Sequence, residues 1–198
     1  MSLSTTAAFP VYLGFLVAVT FGHHAIAQQR PAVTLYGDRH EAAPDELDLF
    51  SFLIGKWEGS GKTRLADGTI AEYDGLTWIG RYVLDGMAIM DELHAPLPDG
   101  TSGLGITIRH FDSDSDSWTV EFLNVSGSFI RRQVNARSGA VEKDGSTVVV
   151  ISVSDESVSR EYYRVINADN FVYSIDLTND RGQTWNRGSI EFTMRRIE

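Results

Sequence analysis

The chain has 198 residues, a formal net charge of −10 and no cysteine. That balance argues against a nucleic-acid or anionic-lipid partner, because counterion release needs a basic face. The missing thiols exclude a disulfide framework and thiolate chemistry.

Residues 11–21 (VYLGFLVAVTF) form an apolar run too short to span a bilayer comfortably. They lead into Ala25-x-Ala27, a small-residue cleavage site. Residues 1–27 therefore read as a signal peptide cut after Ala27, although 1–10 carry no Lys or Arg; an uncleaved anchor is the alternative. The mature protein is expected to be periplasmic or secreted, with no stable membrane insertion after cleavage.

Residues 28–46 read as a linker, polar and broken by Pro31, Gly37 and Pro44. Pro44-Asp45-Glu46 places proline and acids where they suit the positive end of a short helix. Leu47, Phe50 and Ile54 recur at helical spacing, and Gly55 ends the helix. From there to residue 198, β-signals dominate. Strands are expected over 56–66, 69–79, 81–84, 87–95, 104–111, 118–125, 129–136, 147–154, 158–166, 171–178 and 188–197. Asp67-Gly68, Asp85-Gly86, the 96–100 loop, Lys143-Asp144-Gly145 and residues 179–182 punctuate them. The pattern predicts an all-β, antiparallel, up-and-down barrel of about nine or ten strands over residues 47–198, with the helix closing one end. A β-sandwich is the competing architecture. Closure is favoured because it removes exposed edges.

These residues resemble a known family. Phe52-Leu53-Ile54-Gly55-x-Trp57-x-Gly59-x-Gly61 looks like the opening of exported bacterial lipocalin-like (calycin) domains of unknown function. Leu84-Asp85-Gly86-x-Ala88-Ile89-x-Asp91, Gly105-Ile106-Thr107-Ile108-Arg109-x-Phe111-Asp112, Trp118 and Asp180-Arg181-Gly182-Gln183-Thr184-Trp185 follow in the family's order, with Arg181 in place of a glycine. The resemblance implies a barrel and a ligand but no reaction. Nitrobindin, a haem-binding barrel, is a more distant likeness with a similar Gly-x-Trp-x-Gly-x-Gly start and a histidine ligand on a late strand. Here the last histidine is His110, midway along the domain. Haem would need His94 or His110 from a different strand, so no cofactor is expected.

Trp57 is expected over the barrel floor beneath Arg195 or Arg196. Alternation puts Ile106, Ile108 and His110 on one face and Thr107, Arg109 and Phe111 on the other. The resemblance implies that Arg109 points inward, where a guanidinium needs a carboxylate or an anionic ligand. Glu121 on the next strand is the expected partner. Trp118, Phe122 and Tyr173 are the expected cavity walls, with His110, Glu121 and Tyr162 as candidates for proton transfer. Glu92 and His94 share a face but lack a third ligand, so no metal is expected. Asp112–Asp116 starts like a calcium loop, yet Ser117 and Leu123 stand where glycine and glutamate are needed. The favoured function is binding of a small, largely apolar molecule with an anionic or carbonyl group. The alternatives are a cofactor-independent lyase, isomerase or hydrolase acting on such a molecule, or an interaction module with a filled interior.

Overall fold

The computed structural model describes residues 34–65, 67–96, 102–126, 129–134, 141–153, 158–178, 180 and 182–198, with the backbone alone for 124–126 and 129–134. The expected signal peptide, 1–27, lies outside the described residues. A 3-10 helix, Asp45–Leu53, precedes eleven strands. They are β1 (Gly55–Arg64), β2 (Ile70–Val83), β3 (Ala88–Pro96), β4 (Ser102–Asp112), β5 (Ser117–Ser126) and β6 (Phe129–Val134). β7 (Val141–Asp144), β8 (Thr147–Val153), β9 (Val158–Asn167), β10 (Asn170–Thr178) and β11 (Asn186–Arg196) complete the set.

All eleven belong to one sheet in the order β6-β5-β4-β3-β2-β1-β11-β10-β9-β8-β7, and every ladder is antiparallel. The first and last strands pair over Trp57↔Arg196 to Thr63↔Ile190, which wraps the meander into a nearly closed barrel. This is the expected all-β barrel. Among the described residues β6 and β7 are the two edges. Eleven strands of alternating direction leave those edges running the same way.

Two local features depart from the expected elements. The runs 69–79 and 81–84 form one strand, β2, which passes straight through Gly80. Gly80 is needed there because a Cβ on it would stand 2.1 Å from the Leu53 carbonyl oxygen, so its missing side chain seats the end of the helix. The other is β7, a four-residue arm on β8 with charged residues at three positions, too short and polar to register as a strand in the sequence.

The helix is held by what it buries. Leu47, Phe50 and Leu53 are wholly inaccessible to solvent, and the acids of its first turn face outward. The stretch read as a linker is docked from residue 34 onward. The Tyr82 amide donates to the Tyr36 carbonyl at 2.7 Å, and the His40 amide donates to the Gly86 carbonyl at 3.2 Å. Arg39 bridges to Asp45 at 2.8 Å.

Candidate functional site

The helix end of the lumen is a packed floor. Phe50 lies edge-on to Trp118 at 5.1 Å and to Tyr163 at 5.9 Å, and Trp57 lies edge-on to Phe171 at 4.8 Å. The Trp57 indole N–H donates to the Leu53 carbonyl at 3.0 Å, fixing the ring under the helix. The Arg196 guanidinium stacks 4.1 Å from the Trp57 ring centroid and donates to the carbonyls of Ile54 and Phe52, so it also caps the helix end. The pairing of Trp57 with the last strand is thus the one the sequence leads us to expect.

A chain of polar side chains rises from that floor. Arg109 is fully buried and ion-paired with Asp91, itself 1% exposed. Asp91 sits opposite Thr107, and Arg109 opposite Ile89, so the two are diagonal neighbours on β3 and β4. The guanidinium also lies 4.9 Å from the Phe50 ring centroid. Its Nη2 donates to the Tyr163 hydroxyl at 2.9 Å, and that hydroxyl donates to Glu161 Oε2 at 3.0 Å. The Tyr173 hydroxyl bonds the same carboxyl. Arginine has no acceptor, so Tyr163 must receive from it and pass its own proton toward Glu161. The direction of the whole chain is set at the floor.

Glu161 is the partly buried member of this chain, whereas Asp91, Arg109, Tyr163 and Tyr173 are buried. Desolvation raises its carboxyl above the usual range, against the opposing pull of Arg109 and the tyrosine hydroxyls. Burial likewise raises the Tyr163 and Tyr173 hydroxyls, so both stay protonated as donors. Around and beyond Glu161, inward-facing side chains from many strands are only partly buried: Tyr73, Leu93, Phe122, Ile175 and Ile190. Trp78, Tyr173 and Phe192 form an aromatic wall, with Trp78–Tyr173 and Tyr173–Phe192 centroids both 5.4 Å apart. The buried Trp78 indole nitrogen has no hydrogen-bond partner among the described residues.

The residues singled out in the sequence divide between the two faces of the sheet. Arg109, Trp118 and Tyr173 are buried and inward, and Phe122 is inward at the open half. Register places Glu121 opposite Ile108 and His110 opposite Thr119, on the outer face. Tyr162 lies opposite Val149, on the same outward side as Arg160 and Arg164. The partner of Arg109 is therefore Asp91 and not Glu121, and His110, Glu121 and Tyr162 do not converge with Arg109. Glu161 and Tyr163 are the site residues that sequence reasoning missed. The signal for them was the run Arg160-Glu161-Tyr162-Tyr163-Arg164: two arginines on one face mark it as solvated and leave Glu161 and Tyr163 inside.

Other features lie outside the lumen. Concavities of about 550 and 330 Å³ flank the bulge at Gly59/Ser60 and are lined by outward residues such as Glu58, Asp74, Thr193 and Arg195. His94 faces outward and bonds Ser102 at 3.3 Å, and His110 Nδ1 contacts the Met87 carbonyl at 3.2 Å. The described histidines thus offer the lumen no imidazole, and its residues do not fit a histidine-ligated haem. Asp112 closes a hairpin turn by accepting from Asp114 and Ser115. Asp180 organises the β10–β11 loop by accepting from Thr178 and Thr184, which holds its carboxyl down at about 2. Trp185 stacks beneath Arg160 at 4.2 Å, on the outer side.

No family model matches the chain, and no curated relative matches it. Among solved structures, the barrel is similar to the crystal structure of Rv2717c from M. tuberculosis, at 16% identity and a TM-score of 0.50. That match covers 79% of this chain and 99% of the other. It is also similar to the S-type phycobiliprotein lyase CPES from Guillardia theta, at 12% identity and a TM-score of 0.49, covering 76% of this chain and 92% of the other. At such identities the first likeness establishes a lipocalin-like barrel and nothing finer.

Proposed function

We propose that this protein is an exported binding cup: a barrel that holds one small, largely apolar molecule in its open half, with Glu161 reading the molecule's polar end. The observation that carries this reading is the contrast along the lumen. At the floor the side chains are buried, whereas Leu93, Phe122, Ile175 and Ile190 keep apolar surface accessible around a single carboxyl. A largely apolar wall with one polar group is the usual composition of a small-molecule site. An anionic end held by Arg109 loses its rationale, because Asp91 already neutralises that guanidinium out of contact with solvent. Arg109 is instead a positioning residue that acts on the ligand through Tyr163. Export rests on the 11–21 run and Ala25-x-Ala27.

Titration with 1-decanol, an uncharged apolar probe, tests the cup directly. Trp78 lines the lumen, so a saturable change in tryptophan fluorescence is expected, and Phe122→Trp should reduce it by narrowing the cup. Failure of 1-decanol to saturate would sink the reading. Amino-terminal sequencing of the protein from a periplasmic fraction checks export: a chain starting near Gln28 is expected, and one retaining residues 1–27 would refute cleavage.

A further inference from the structure

We propose that the polar end of the ligand is a cation, and that the lumen is an ammonium site with Glu161 as counter-charge and Trp78, Tyr173 and Phe192 as aromatic walls. This rests on the cup reading above and names the class of molecule the cup takes: an apolar amine or quaternary ammonium compound.

Charge is the first consideration. Asp91 and Arg109 match each other at the floor, so Glu161 is the lumen carboxyl without an ion pair of its own among the described residues. Hydrogen-bond direction points the same way. Among the described residues, the hydrogen bonds reaching the Glu161 carboxyl come from donors: Tyr163, whose proton Arg109 forces outward, and Tyr173. A carboxylate has about four lone-pair directions, and two hydroxyls leave room for a further donor. A cation favours the ionised carboxyl, which would repel a ligand carboxylate and offer a ligand carbonyl only acceptor oxygens.

The walls supply the second half of the chemistry. Tyr163 and Tyr173 lie 4.9 Å apart by ring centroid, Tyr173 and Phe192 5.4 Å, and Trp78 and Tyr173 5.4 Å, so π-surface clusters around the two tyrosines whose hydroxyls reach the carboxyl. Ring faces attract alkylammonium groups, most strongly where water is scarce. The desolvation that disfavours the bare Glu161 carboxylate would be offset by a cation seated on it. A negative group ringed by aromatics, approached through an aliphatic mouth, is complementary to a molecule with an apolar body and a positive head.

Three probes that share one tail separate the possibilities: decylammonium, 1-decanol and decanoate, each titrated into the full protein near neutral pH. Decylammonium should bind at least about tenfold more tightly than 1-decanol, and decanoate should bind weakest. Glu161→Gln, which keeps the size of the side chain and one acceptor oxygen but removes the charge, should bring decylammonium down to the affinity of 1-decanol in the same variant. The preference should persist in high salt, since a shielded pair is screened far less than attraction to the protein's net charge of −10. If 1-decanol binds as tightly as decylammonium, the cation site is wrong while the cup stands. The cation site is equally wrong if the preference survives Glu161→Gln or vanishes in salt, because the cation is then held on the surface. If 1-decanol fails to saturate, the cup falls and this inference with it. The three-probe comparison on the unaltered protein decides the matter without any variant having to fold.

Discussion

The two halves of the lumen are built by the same alternating strands and yet differ in how they treat polarity. At the helix end, Phe50, Leu53, Trp57, Phe171 and Met194 fill the space, and the Asp91–Arg109 pair is shut in with them. Toward the mouth, inward side chains keep part of their surface, and the carboxyl of Glu161 stands among aromatics. One hydrogen-bonded chain, Arg109 to Tyr163 to Glu161, links the two. Under the binding-cup proposal, one polar network serves as structure at its matched end and as recognition at its unmatched end. The helical plug decides which end is which.

Removing a charge from the matched end should break the comparison most severely. Arg109→Met leaves Asp91 buried without its counter-ion and should lower stability by about 3–5 kcal/mol in urea unfolding. Adding Asp91→Leu should recover most of that loss; a double variant as unstable as the single one would show that the pair is not the cause. Unseating the plug comes next. Gly80→Ala puts a methyl group 2.1 Å from the Leu53 carbonyl oxygen, and an overpacking loss of about 1–3 kcal/mol is expected. An unchanged melting temperature would mean that the helix end shifts freely. Trp57→Phe keeps an aromatic ring but loses the N–H bond to Leu53 and weakens the Arg196 stack, for about 1–2 kcal/mol by the same measurement.

The smallest effect has the opposite sign and belongs to the mouth. The folded-state carboxyl of Glu161 is raised above its ordinary value, so its ionisation opposes folding. Its contribution to stability is full below the usual carboxylate pKa and is lost as pH rises through the raised one. Glu161→Gln should therefore flatten that part of the profile of melting temperature against pH and leave the protein slightly more stable at neutral pH. A variant that melts lower at every pH would assign Glu161 to the floor's structural role instead.

Much of this was legible in the chain itself. The hairpin rhythm, the helical plug and the Trp57 stack on the last strand could all be read, because each depends on local pattern or on one conspicuous motif. The inward direction of Arg109 followed from alternation together with the family likeness. Its partner did not, since the register between β3 and β4 brings together residues far apart in sequence and no local signal reports it. Glu121 looked suitable because it lies on the next strand, but a strand's period of two turns it away from the side of Val120 and out of the lumen. Gly80 read as a break between strands when it is a seat, a distinction that appears only once the Leu53 carbonyl lies across it.

The pairing order carries one mechanical consequence. Among the described residues the ladders run unbroken from β6 round to β7 and stop there, with the two edge strands pointing the same way. A ring joined all the way round can change its girth only by shearing or rupturing ladder bonds, whereas a ring slit along one line can flex by small changes of twist shared among its strands. Under the binding-cup proposal, the edges left unpaired among the described residues let the mouth adjust its width to a guest while the plugged end keeps its shape.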